Sequence, residues 1–348
     1  MNLRPVLRFL GQLVLVLAGA MLAPIAVCLL YGERDDAESF ALAAALTAAV
    51  SLVLRRSGRR VEPAELYRRE GVLLVVGGWL LASVLGALPY LFTGTLSAPA
   101  DALFESMSGF TTTGASVITD VEAVGRGVLF WRSFTQWLGG MGIIVLFVAL
   151  LPELGPGARF LYKLEVPGPT AEALRPRIRD TAAVLWRIYL LLTAAQTLLL
   201  VICGLDLYDA LTHTFSTLST GGFSTRNASL AAFESPWAHG VVILFMIVAG
   251  GNFSLYYRLR GRAGWNLLRD PEMRAYLAIL GGAALIVAAD LLAAGTYAPS
   301  QPRVALDALF QVASIQTTTG FASADFATWP ELSRMVLVAL MFVGGCAG

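Results

Sequence analysis

Asp101-Ala-Leu-Phe-Glu-Ser-Met-Ser108-Gly-Phe-Thr111-Thr112-Thr113-Gly114 is written twice more in this chain. The second copy is Asp209-Ala-Leu-Thr-His-Thr-Phe-Ser216-Thr-Leu-Ser219-Thr220-Gly221-Gly222, and the third is Asp307-Ala-Leu-Phe-Gln-Val-Ala-Ser314-Ile-Gln-Thr317-Thr318-Thr319-Gly320. Each opens on Asp-Ala-Leu, places a serine seven residues after the aspartate and places a glycine thirteen residues after it. A thirteen-residue spacing kept three times marks an internal repeat, and the fold is decided by what such a segment can be.

What surrounds the copies is membrane. Of the 348 residues 57% are hydrophobic and 14% charged, with a mean hydropathy of +0.69, too little polar surface for a chain folding in water. Apolar runs free of charge fall at 9–30, 39–54, 71–100, 133–152, 188–205, 235–257, 275–289 and 335–348. A hydrocarbon core of about 30 Å needs about 20 such residues in a helix, so these read as eight spans of an all-α polytopic protein. The first run, although preceded by Arg4 and Arg8, is too long for a signal peptide and shows no clear small-residue cleavage site, so it is kept as a helix. With the N-terminus in the cytoplasm, the inside segments 1–8, 55–70, 153–187 and 258–274 hold 19 of the 25 Lys and Arg residues. The positive-inside rule asks for that asymmetry. The near-neutral net charge of +1 gives no reason to expect a nucleic-acid partner, and Cys28, Cys203 and Cys346, all in apolar stretches, read as packing residues.

Each copy follows one span and precedes another, giving a unit of membrane helix, re-entrant segment and membrane helix. About ten residues from the aspartate make a helix too short to cross. Asp101, Asp209 and Asp307 are expected to cap it, accepting from the N–H groups of its first turn. The Thr/Gly tract then turns back to the same side, leaving non-helical backbone at membrane depth, which must be buried in protein or line a watery cavity. Carbonyl oxygens of several such tracts, set round an axis, can replace a cation's hydration shell. Glycine serves where a Cβ is forbidden, and the short threonines permit close approach and offer hydroxyl oxygens. The short helix aims its negative end at the cation.

The runs Ser108-Gly-Phe-Thr-Thr-Thr-Gly114-Ala-Ser, Phe215-Ser-Thr-Leu-Ser-Thr-Gly-Gly222-Phe-Ser-Thr and Thr317-Thr-Thr-Gly320-Phe-Ala resemble the first three filter loops of the Trk/Ktr/HKT superfamily of potassium transporters, most closely its TrkH branch, which carries two extra N-terminal helices. The resemblance covers essentially the whole chain. It implies an extension at 1–69, repeat 1 at 70–157 with its loop at 101–116, repeat 2 at 158–262 with its loop at 209–225, and repeat 3 at 263–348 with its loop at 307–322. It further implies potassium, as substrate and not cofactor, coordinated by backbone at Thr111 to Gly114, Ser219 to Gly222 and Thr317 to Gly320, with Gly114 favouring potassium over sodium. Homodimers in the bacterial cytoplasmic membrane and a cytoplasmic nucleotide-binding ring like TrkA are also implied. Phe342-Val-Gly344-Gly345-Cys-Ala-Gly348 looks like the start of the family's intramembrane gate loop, with Gly344, Gly345 and Gly348 as its candidates. The rest of repeat 3 and all of repeat 4 are expected in a longer parent chain, for whose architecture the function is read.

Other features read as structure. Gly139, Gly140, Gly142, Gly250 and Gly251 are expected to let helices approach closely. His213 and His239 are read as packed or interfacial, and Arg132 and Arg187 as snorkelling anchors at span edges. Asp290 in the seventh span is a minor ionic candidate, and Glu105 and Asp120 could gather cations at an outer mouth. An intramembrane hydrolase finds neither a nucleophile elbow nor a His-Glu-x-x-His motif, so no enzyme is expected. An ion-coupled secondary transporter would show inverted repeats, whereas these run in one direction. A non-conducting fragment is the remaining alternative. No nucleotide-binding fingerprint is present, so regulation would come from a partner docking on the basic inside segments at 153–187 and 258–274, where anionic lipid would also bind.

Overall fold

The computed structural model describes residues 3–58, 68–142, 178–251, 270–297 and 303–345, which form helices and loops without a strand among them. They fall into two compact units, Met1–Trp186 and Arg187–Gly348. Segment 153–177, residues 258–269, Cys346 and Gly348 lie outside the described residues.

In the first unit α1 (Leu3–Ala20) and α2 (Leu22–Tyr31) follow one another as a 29-residue apolar span. Gly32, left-handed at φ +79°, ends α2, and the chain returns as α3 (Arg34–Ser57), which packs on both. Gly11 brings α1 onto α3, where Ser51 Oγ donates to its carbonyl at 2.6 Å. α4 (Arg68–Gly86) and the short α5 (Leu88–Phe92) make the next span, which ends at Phe92 and not at residue 100. Gly94, left-handed at φ +71°, lets the chain turn there, and Pro99, at the first position of a new helix, reopens it. That helix is α6 (Pro99–Phe110), packed between α4 and α7 (Arg126–Gly140).

α7 starts before its apolar run because Glu33 caps it from the α2–α3 turn, its carboxylate accepting from the amides of Arg126 (2.7 Å) and Gly127 (2.9 Å). A Cβ at Gly127 would overlap Cys28 Sγ, so glycine permits this contact and buried Cys28 is a packing residue. Likewise a Cβ at Gly139 would overlap the carbonyl oxygen of Phe110, so this glycine seats α7 against the end of α6.

The second unit takes most of α8 (Ile178–Ile202), then α9 (Leu207–Leu218), α10 (Pro236–Ala249), α11 (Pro271–Ala293), α12 (Arg303–Gln316) and α13 (Glu331–Val343). Its core gathers Phe310, Phe321, Met246, Leu280, Val287 and Leu337. Asp290 of α11 accepts from the amide (2.9 Å) and hydroxyl (2.6 Å) of Ser333, in the first turn of α13. It therefore caps a neighbouring helix, a structural use for an acid in a span. His239, buried in α10, bonds the carbonyl of Leu230.

Among the described residues, five helical stretches are long and apolar enough to cross a membrane. Leu30, Leu191 and Leu285 stand 82%, 69% and 74% exposed on them, an outward display suited to hydrocarbon.

Candidate ion-coordinating loops

The three re-entrant helices α6, α9 and α12 end in the same local geometry. At the first loop Thr111 leaves the helix at φ −81°, Thr112 is left-handed at +55° and Gly114 at +76°. Thr220 (+52°) and Gly222 (+73°) repeat this, as do Thr318 (+59°) and Gly320 (+85°). A β-branched residue in the left-handed region is an outlier, at a cost of roughly 1–3 kcal/mol, and threonine accepts it here at one position in every copy.

Alternating hands turn successive amides to one side. In loop 1 the amides of Thr111, Thr112 and Thr113 donate to the carbonyls of Met107, Gly109 and Ser108 at 2.9–3.0 Å. In loop 2 Ser219, Thr220, Gly221 and Gly222 turn back to Phe215, Thr217 and Ser216, and in loop 3 Thr317 to Gly320 turn back to Ala313, Ile315 and Ser314. The hydroxyls join them: Thr111 and Thr317 donate to Met107 and Ala313 at 2.7 Å, and each pairs with the threonine two residues on. These two hydroxyls therefore pin the loop to its helix. The carbonyls of Thr112, Thr113 and Gly114 accept from none of these donors.

Loops 2 and 3 lie side by side in the second unit. A Cβ at Gly222 would overlap the carbonyl oxygen of Thr319, and Ala322 exchanges bonds with Ala231 (3.0 Å) and Ser229 Oγ (3.2 Å). Loop 1 belongs to the first unit. Gly250, beyond α10, packs on the Thr317 side chain, a close approach in the expected sense.

The aspartates do not cap these helices. α6 and α9 begin two residues before Asp101 and Asp209, and α12 begins four before Asp307. Pro99 opens the first, and Asp206 caps the second by accepting from the amide of Asp209 at 2.6 Å. Asp101 lies exposed in the first turn, where its charge suits the dipole. Asp209 and Asp307 instead hold the returning chain. Asp209 accepts from Thr225 Oγ1 (2.7 Å) and pairs with Arg226 (3.1 Å), and Asp307 accepts from Ser323 Oγ (3.0 Å) and Tyr297 OH (3.1 Å). Burial foremost, then the Asp307 charge, pushes the Tyr297 phenol up to about 12, so it stays protonated and donates.

Glu105 and Arg132 also depart from expectation. Glu105 is buried, not set at an outer mouth, and Arg132 is 3% exposed and pairs with it at 2.7 Å instead of snorkelling. The sequence reading missed this pair, although aligning the repeats puts Glu105, His213 and Gln311 at one position, a helical turn past the aspartate. His213 bonds the Asp209 carbonyl through Nδ1 (2.7 Å) and Ser224 Oγ through Nε2 (2.9 Å). Gly344 ends α13 at φ +66°, ψ −172°, backbone open to glycine alone, and Gly345 packs against the carbonyls of Gly250 and Gln316.

Membrane helices paired around strained re-entrant loops define an ion-translocating class of membrane protein. Residues 37–348 match the TrkH family model, described as a cation transport protein, and the chain belongs to that family. It is 40% identical, over its whole length and 72% of the relative's, to the Trk system potassium uptake protein TrkH of Escherichia coli K12. It is 35% identical to TrkG of the same organism, over its whole length and 71% of that chain. The crystal structure of the potassium transporter TrkH from Vibrio parahaemolyticus superposes with a TM-score of 0.85 at 34% identity, covering all of this chain and 71% of that one.

Proposed function

We propose that this protein takes up potassium across a membrane as the membrane-embedded subunit of a Trk system, with potassium as its substrate. The observation that carries the reading is the repeated loop whose amides from Thr111 to Thr113, Ser219 to Gly222 and Thr317 to Gly320 are spent on their own helices, so that backbone oxygen is what remains for the ion. Ligands are Thr111 to Gly114, Ser219 to Gly222 and Thr317 to Gly320, each loop backed by the negative end of a short helix. The repeats follow the boundaries given by the sequence. Gly344 and Gly345 begin the gate: the helix break and the contact with Gln316, just before loop 3, support that role.

Uptake of this kind belongs in the bacterial cytoplasmic membrane with the N-terminus inside, an orientation supported by the excess of Lys and Arg in the inside segments. The protein works as a homodimer under the control of a TrkA-like nucleotide-binding ring, supported by its family membership.

The test is rubidium uptake and potassium-limited growth of a bacterial strain that lacks its own potassium transport and carries this protein. Rescue, with sodium admitted once Gly114→Ser is introduced, supports the reading. Expression at the membrane without movement of any alkali cation overturns it.

A further inference from the structure

Ser116 stands two residues after Gly114, where the first loop leaves the coordinating row. Its hydroxyl contacts both carboxylate oxygens of Glu105 (3.0 and 3.1 Å) and accepts from Arg132 Nη2 (3.1 Å). Glu105 also accepts from the amide of Val117 (3.0 Å) and from Arg132 Nε (2.7 Å). One residue earlier, Ser108 Oγ donates to the carbonyl of Ala115 at 2.6 Å. Three consecutive residues after the glycine are thus held from the α6 side, the last two by a carboxylate that is itself held by α7.

The other repeats hold their returning chain differently, with Asp209 taking Thr225 and Arg226, Asp307 taking Ser323, and Ser314 Oγ donating to the Phe321 carbonyl (2.6 Å) as Ser108 does to Ala115; what repeat 1 alone has, among the described residues, is a buried ion pair at the position four residues after the aspartate. In repeat 2 His213 meets Ser224 through one bond, and in repeat 3 Gln311 Oε1 is buried without a partner, with alanine at residue 322, where Ser116 and Ser224 stand in the other copies. Glu105 and Arg132 are 0% and 3% exposed. A buried ion pair tolerates its desolvation only in such a bonded setting, and the setting here ends on the loop. The loop's other end is tied by the amides of Thr111 to Thr113. Its carbonyls are therefore clamped at both ends, and a clamped row cannot contract around a smaller ion.

We propose that Glu105, fixed by Arg132, is the positioning residue that gives the first loop its discrimination between potassium and sodium. This rests on the potassium reading above. The experiment compares uptake of rubidium and of sodium by wild type, Glu105→Gln, Ser116→Ala and the double variant Glu105→Gln/Arg132→Met, in the strain described above, with melting temperatures of the purified proteins.

The double variant removes both charges and leaves neither buried alone, so it is expected to fold. Its rubidium-to-sodium ratio should drop by about tenfold, equivalent to ~1.4 kcal/mol of differential ion stabilisation, with Ser116→Ala moving the same way by less. An unchanged ratio in both variants, in a wild type that moves rubidium, overturns the brace alone, whatever happens to stability. If Glu105→Gln fails to accumulate, the other two variants decide by the same ratio. Movement of neither ion by wild type overturns the potassium reading and the brace with it.

Discussion

Gly222 and Gly320 occupy the same place in consecutive loops, and adding one methyl to each separates two reasons for glycine. Both are left-handed, at φ +73° and +85°, so alanine at either costs about 1–2 kcal/mol of conformational energy. At Gly320 nothing lies within 4 Å of the new carbon, and the cost stops there. At Gly222 the carbon lands on the carbonyl oxygen of Thr319 and close to the carbonyl carbon of Gly320. These are backbone atoms of a loop whose amides are tied to α12, so they cannot swing aside as a side chain would. Overpacking of that kind adds about 1–3 kcal/mol, for a total near 2–5 kcal/mol at Gly222. Gly320→Ala should keep most rubidium uptake with a modest fall in melting temperature. Gly222→Ala should melt lower and lose uptake, because relief requires the Thr319 oxygen, a proposed ligand, to move. Equal losses in the two variants would refute the reasoning, leaving the left-handed backbone as the whole demand for glycine.

Other expectations concern the scaffold. Asp290→Ala leaves the Ser333 amide and hydroxyl without their acceptor and should destabilise by about 1–3 kcal/mol in thermal unfolding, with the rubidium-to-sodium ratio unchanged. Glu33→Ala uncaps α7 and should cost about 0.5–2 kcal/mol by the same measurement. Gly139→Ala should sharply reduce the yield of folded protein, since its Cβ meets the Phe110 carbonyl, whereas Gly281→Ala, a helical glycine with open space around it, should be neutral or stabilising by up to about 1 kcal/mol. The Tyr297 phenol titrates at about 12 when folded against 10.0 unperturbed. A raised folded value stabilises below the unperturbed one, so the advantage of wild type over Tyr297→Phe should hold through neutral pH and fade as pH rises through 10 towards 12.

The membrane class and the loops were legible because each rests on a pattern local to the chain. Apolar runs of spanning length and a spacing kept three times need no knowledge of what packs where. The left-handed glycines follow from the same spacing. The helix starts were not legible, because an aspartate in the first turn and one at the cap look alike, and the choice fell to Pro99 and to Asp206, three residues before the repeat aspartate. Asp290 and Glu33 were opaque for a different reason. Each serves the amides of a helix remote in sequence, and no spacing within the chain announces such a partner.

Glu105 falls between these cases. Read alone, an acid next to an outer loop belongs to a solvated face, and its burial depends on Arg132, twenty-seven residues away. Read against the other copies, it shares its position with a histidine and a glutamine, and its partner Ser116 shares one with Ser224 and Ala322. An aspartate kept in every repeat need not mean one shared use, since Asp209 and Asp307 hold the returning chain while Asp101 stands exposed. The varied position behind the loop shows instead where the repeats have been made unequal. At that one position a charge-paired grip in repeat 1, a histidine–serine contact in repeat 2 and an unpartnered amide oxygen in repeat 3 stand behind three loops with one backbone, while Asp209 and Asp307 hold the chain one residue further on in repeats 2 and 3, so substitution at this position should shift selectivity most in the first.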